Sequence, residues 1–162
     1  MGTVMKVALV LLCVSVVWAF GNEKCDMLLE QQQVVEKAVL KVFSKTTKAA
    51  ENLDVDTLYT YILESDKGPI IQDGTIFLKR QDALNSTKQG FQGLKSYNVK
   101  VNQKHVTVIC PTVALMTFDG VSTITTSEGQ MLNYPFAQTI VYVLRDGQWK
   151  IIHSHQSTKK TS

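Results

Sequence analysis

From Tyr97 to Ser157 this chain is a run of strand signals parted only by tight turns, while the segments before it have mainly helical spacing. That order constrains the fold more than any other feature. Helices first and a meander of long strands afterwards specify an α+β domain. Tyr97, Val99 and Val101 alternate on odd numbers, whereas Val106, Val108 and Cys110 alternate on even numbers. A period of two cannot change parity without an extra residue, so a bulge or bend is expected around Gln103–His105. Val113 to Thr126 is a long β-branched run, expected to bend at Asp119-Gly120. Ser127 to Gln130 reads as a turn and Leu132 to Arg145 as the next strand. Asp146-Gly147 reads as a tight hairpin into Gln148–Ser157. A bent sheet has a concave side, and a helix covering part of it leaves the rest as a pocket.

The covering helix is legible as well. From Met27 to Leu53, Leu28, Val35, Val39, Val42, Ala49 and Leu53 form one stripe, flanked by Leu29, Val34, Ala38 and Phe43. Lys37, Lys41, Lys45 and Lys48 lie largely off it and read as a solvated face. Asp54 is placed to cap a second short helix through Leu58, Tyr61 and Ile62, which Lys67-Gly68-Pro69 ends. Ile70 to Leu78 reads as a hairpin turning at Asp73-Gly74, and Gln81 to Phe91 as a third helix ended by Gly90 or Gly93.

The 162 residues carry a net charge of +3, with 44% hydrophobic and 19% charged residues. That is too apolar for a disordered chain, and too weakly basic to argue for a nucleic-acid partner. Part of the apolar content belongs to a leader. Lys6 precedes Val7–Phe20, fourteen residues of which only Ser15 is polar. Such a run rises to roughly 21 Å, short of the ~30 Å hydrocarbon core, so it is expected to be a secretory signal and not a stable membrane span. Cleavage is expected after Ala19 or Gly21; removing residues 1–19 leaves 143 residues with a net charge of +2. Residues 20–33 then form the lead-in and helix start, 34–157 the folded domain and 158–162 a disordered tail. The expected destination is extracellular, or periplasmic in a bacterium.

In an oxidising compartment Cys25 and Cys110 allow one disulfide; the alternative is two thiols, with Cys110 buried as a small hydrophobe. Asn85-Ser86-Thr87 is a sequon, which in a eukaryote would place a glycan on Asn85.

The closing segment Arg145-Asp146-Gly147-Gln148-Trp149-Lys150-Ile151-Ile152-His153-Ser154-His155-Gln156-Ser157 resembles the last hairpin of the SnoaL-like branch of the nuclear transport factor 2-like superfamily. That hairpin reads "DG-x-W-[K/R]-I-x-H-x-H-x-S". It is also similar to the end of the calcium/calmodulin-dependent protein kinase II association domain. Asn52–Asp56, Gln72–Gly74 and Ala114–Phe118 add weaker likeness, so the resemblance spans Val34 to Ser157. It implies a cone-shaped, curved antiparallel sheet on a long N-terminal helix, a pocket between them, and frequent homodimers. Function is left open, because this family includes isomerases, cyclases, dehydratases, transport factors and oligomerisation hubs.

Strict alternation would put Trp149, Ile151, His153 and His155 on one strand face, with Lys150, Ile152, Ser154 and Gln156 on the other. The two histidines would stand roughly 6.6–7 Å apart, near enough to share a metal. A third ligand is not selected by spacing among His105, Asp66, Asp73 and Asp119, so no metal and no cofactor are expected. Ketosteroid isomerase-like relatives are expected to use a carboxylate base with a tyrosine on the first helix. Met27–Leu53 contains no tyrosine, and Asp73 and Asp119 both sit beside glycine in turn-like contexts. His153 or His155 is therefore the candidate base if there is catalysis, with Tyr59, Tyr134 or Tyr142 as donor. Tyr134, Phe136, Gln138, Ile140 and Tyr142 share strand parity, which suits a sheet core, a dimer face or a ligand wall.

Three readings result. The first is a secreted binding module that holds a small, partly apolar molecule through Tyr59, Tyr134, Gln138, Tyr142, Trp149, His153 and His155. The second is an exported isomerase, cyclase or hydrolase-like enzyme using a pocket histidine. The third is an oligomerisation module. The absence of a complete acid–base set places the first ahead.

Overall fold

The computed structural model describes residues 27–159. The expected leader, Cys25 and the last three residues of the expected tail lie outside those residues. Helix α1 spans Leu29–Glu51 and buries Val35, Val39, Phe43, Thr46 and Ala49. This stripe differs from the expected one at its ends. Leu28, Leu29 and Val34 are exposed, and Thr46 joins the buried face because its hydroxyl donates to the Phe43 carbonyl. The helix closes as Leu53 N–H donates to Ala50 O and Asp54 N–H to Ala49 O, with Leu53 at φ 58°. That pairing satisfies the last carbonyls by the left-handed C-cap arrangement.

Asp54 caps α2 (Val55–Tyr59) as expected, accepting from the Thr57 N–H. However, α2 stops at Tyr59 instead of reaching Ile62. The next residues are captured by the sheet: Ile151 N–H donates to Tyr61 O, and Leu63 N–H donates to Ile151 O. The Arg80 guanidinium donates to the carbonyls of Tyr59 and Ile62, the first of which also accepts from the Ile62 N–H.

Strands β1 (Ile70–Gln72) and β2 (Thr75–Phe77) form the expected hairpin. Asp73 and Gly74 turn it with φ of 48° and 84°, as a two-residue primed turn requires. Helix α3 (Arg80–Phe91) leads to β3 (Leu94–Cys110), β4 (Val113–Thr126), β5 (Met131–Arg145) and β6 (Gln148–Thr158). The strand order is β2-β1-β6-β5-β4-β3, giving one curved six-stranded sheet. One pair departs from the antiparallel expectation: β1 runs parallel to β6. Tyr61–Leu63 already lies along β6 at Ile151 in that direction, and β1 continues down the same edge.

Two bulges decide which residues face α1. The first is the one that the parity change demands, placed at Asn102, slightly ahead of the expected Gln103–His105. Tyr97, Val99 and Val101 therefore face inward before it, and Val106 and Val108 after it. Across from this bulge stands Gly120, where a Cβ would collide with the Lys100 carbonyl. Gly120→Ala is expected to lose about 2 kcal/mol in urea unfolding, since a backbone atom cannot yield as a flexible side chain can. A loss under about 0.5 kcal/mol would show that the strands part freely there.

The second bulge was not foreseen. Val141 pairs with His153 and Tyr142 with Ile151, which leaves Ile152 as the extra residue. Alternation in β6 is broken there. Ile151 and Ser154 are both buried on the inner face, while Ile152, His153 and His155 lie on the outer side. The expectation that Trp149, Ile151, His153 and His155 share one face is thus corrected. One inserted residue reverses the facing of everything after it.

The inner face of the sheet and the α1 stripe make the core. Phe43 of α1 meets Phe118 edge-on at 4.9 Å between ring centroids, and Phe118 meets Phe136 at 5.7 Å. Ala114, Met116 and Tyr142 fill the sheet side against Val39, all four completely buried.

Candidate functional site

Beyond the Phe43–Phe118–Phe136 contact, α1 and the sheet diverge and enclose a cavity of about 570 Å³. Its size lies within the range of small-molecule sites. One wall is α1, through Phe43, Thr46, Thr47 and Ala50; α2, α3 and the β1–β2 hairpin close the others. The floor is the inner sheet face, including Tyr97, Ser122, Tyr134, Phe136, Gln138 and Ser154.

Several polar groups on this surface are hydrogen-bonded within the protein. The Tyr59 hydroxyl lies 2.8 Å from Thr87 Oγ1, and Gln138 Nε2 donates to Ser154 Oγ at 2.7 Å. Ser122 donates to the Tyr134 carbonyl at 3.3 Å. Burial raises the Tyr59 phenol above its ordinary pKa, partly offset by its Thr87 hydrogen bond. Burial likewise raises the Tyr97 phenol. Both phenols therefore stay neutral well above physiological pH. Among the described residues no Lys, Arg, Glu or His lines the cavity, and Asp73 is the one carboxyl there. Asp73 sits in the exposed hairpin turn, where its Oδ1 already accepts from both the backbone N–H and the hydroxyl of Thr158, each at 2.8 Å.

Of the seven residues named from sequence, Tyr59, Tyr134 and Gln138 line this cavity, whereas Tyr142, Trp149, His153 and His155 do not. Tyr142 is completely buried beside the cavity region, and its hydroxyl has no partner among the described residues. Burial pushes its phenol far up. Trp149 packs, half-buried, against the edge of the core. His153 donates from Nδ1 to the Gly68 carbonyl at 3.3 Å, tying β6 to the loop before β1. His155 is exposed and lies with His105 and Asp119 in an outer cleft of about 380 Å³. Among the described residues no group of three His, Cys, Asp or Glu is placed to hold a metal ion. Asn85 is exposed on α3, accepting from Gln81 Nε2 at 3.0 Å.

The reading from sequence missed Tyr97, Ser122 and Thr87. Parity alone puts Tyr97 inward with Val99. Thr87, by contrast, is brought to Tyr59 only by α2–α3 packing.

Residues 39–159 match the model of the SnoaL-like domain, and the chain belongs to that family. Similar solved structures include a protein assigned as a dehydratase of the nuclear transport factor 2-like family from Streptomyces avermitilis. It is 18% identical with a TM-score of 0.70, covering 80% of this chain and 99% of that one. Another is a protein assigned as a scytalone dehydratase from Novosphingobium aromaticivorans, at 10% identity and a TM-score of 0.71, covering 83% and 91%. A third is assigned as a calcium/calmodulin-dependent protein kinase II association domain from Xanthomonas campestris. There the identity is 19% and the TM-score 0.67, with 76% and 87% covered. At these identities the likeness establishes the fold. No curated protein matches the chain.

Proposed function

We propose that this protein is an exported carrier or receptor for a small, neutral, partly apolar molecule held between α1 and the sheet. The observation that supports it most directly is the composition of the cavity wall. Aromatic rings and hydroxyls line it, and the one carboxylate among its described lining residues is already engaged at the turn. Such a surface favours a flat apolar body with few polar groups.

Ala50 lines the cavity from α1. Ala50→Phe is expected to fill that space and weaken uptake of a ring-containing probe at least about tenfold, with little change in melting temperature. Calorimetric titration with 2-tetralol, alongside a thermal melt, checks it. Unchanged affinity would sink the binding reading.

Enzymatic activity is the second reading, favoured by relatives assigned as dehydratases. It requires an acid or base within the cavity, and His153 and His155 lie on the opposite side of the sheet. Export rests on the leader, and a glycan on Asn85 would follow it in a eukaryotic host. The proposed homodimer would use the outer sheet face, where Leu115, Val121, Val141 and Val143 are partly exposed. Native mass spectrometry of protein purified from its own source tests leader cleavage, retained ligand, glycan and stoichiometry together.

A further inference from the structure

The hydroxyls of Thr46, Tyr59, Thr87, Ser122 and Ser154 stand on the cavity wall, and each carries a single proton. Where those protons go decides what the cavity can recognise. Thr87 Oγ1 donates to the Ala83 carbonyl at 2.9 Å, the usual back-bond of a threonine inside a helix. Its proton is therefore committed, so in the 2.8 Å contact with Tyr59 the phenol must be the donor. The same holds on the sheet. Ser122 gives its proton to the Tyr134 carbonyl at 3.3 Å. Thr46 gives its proton to the Phe43 carbonyl at 2.9 Å. Four hydroxyls on the cavity wall, those of Tyr59, Thr87, Ser122 and Thr46, thus spend their protons on the protein. The hydrogen-bonding capacity left to each is oxygen lone pairs. Ser154 is different, because it accepts from Gln138 and keeps its own proton.

We infer that the Tyr59–Thr87 end of the cavity selects a ligand by the hydrogen-bond donor it carries: a neutral, ring-containing molecule bearing a hydroxyl or N–H group, in preference to the corresponding ketone. This rests on the small-molecule reading and adds the chemistry of the ligand's polar end. A ketone offers only lone pairs, and lone pairs facing the Tyr59 oxygen leave both acceptors unmatched. An alcohol donates to the Tyr59 oxygen. An enzyme that stabilises an oxyanion needs the reverse arrangement, with donors aimed into the site.

The probes are 2-tetralol and 2-tetralone, which share a skeleton and differ in the oxygen group. Both are titrated calorimetrically into the mature chain made in a bacterial host, so that no glycan is present. Wild type is expected to bind the alcohol at least about fivefold more tightly, the effect of one hydrogen bond made against one missed. Thr87→Val removes the acceptor that holds the Tyr59 proton and frees that proton to turn into the cavity. The preference is then expected to vanish or invert toward the ketone, while Thr87→Ser keeps the wild-type ratio. Equal or tighter binding of the ketone by wild type would overturn the inference while leaving the binding reading standing. An unchanged ratio in folded Thr87→Val would overturn it too. Failure of both probes to bind wild type would defeat the binding reading and this inference with it.

Discussion

Phe118→Ala is expected to destabilise the domain by about 3–5 kcal/mol, the usual range for emptying a buried aromatic site. Phe118 is 7% exposed and stands between two rings, with Phe43 on α1 and Phe136 on β5. Its removal deletes both edge-to-face contacts and opens the core directly into the existing cavity. Because β4 is held by strands on both sides, the backbone cannot collapse to fill the space. Urea unfolding checks the loss. The conservative Phe118→Leu should recover much of it. A cost under about 1 kcal/mol for the alanine variant would mean that α1 settles onto the sheet and that the cavity is soft.

Alkaline pH should produce the second large effect. Tyr142 and Tyr59 are 0% and 3% exposed, and burial raises both phenols above their ordinary value. A raised folded-state pKa means that the unfolded chain releases its protons first. The stabilisation is fully present below about pH 10 and is lost as pH climbs from there toward the folded-state value. While one such phenol stays protonated in the fold, stability falls by about 1.4 kcal/mol per pH unit, so two give about 3. Denaturant titrations from pH 9 upward measure this slope. Tyr142→Phe should flatten the slope by about one tyrosine's share. Below pH 9 it should also stabilise by about 1 kcal/mol, because it removes a buried hydroxyl that has no partner among the described residues. An unchanged slope in that variant would show that Tyr142 reaches solvent or a hidden acceptor.

The architecture was largely legible in the sequence because it rests on local chemistry. The α1 stripe, the Asp54 cap, the Asp73-Gly74 and Asp146-Gly147 turns and the parity change in β3 each follow from residues a few positions apart. The site was legible only in part. Tyr59, Tyr134 and Gln138 line the cavity, while His153 and His155 face away from it. Their apparent place rested on carrying alternation through Ile152. A bulge on one strand is defined by the residues opposite it, and those belong to another strand. The same holds for α2, whose helical pattern through Ile62 lost to hydrogen bonds with Ile151.

The sequence alone therefore determined the element order, the helix-covered concave sheet and the family, since spacing and turn chemistry act within one segment. Tertiary structure decided the facing of β6 and the meeting of Tyr59 with Thr87. It also decided where the Tyr59 and Thr87 hydroxyl protons go. Those outcomes depend on partners distant in the chain, and no local pattern encodes which of them will be across from a given residue.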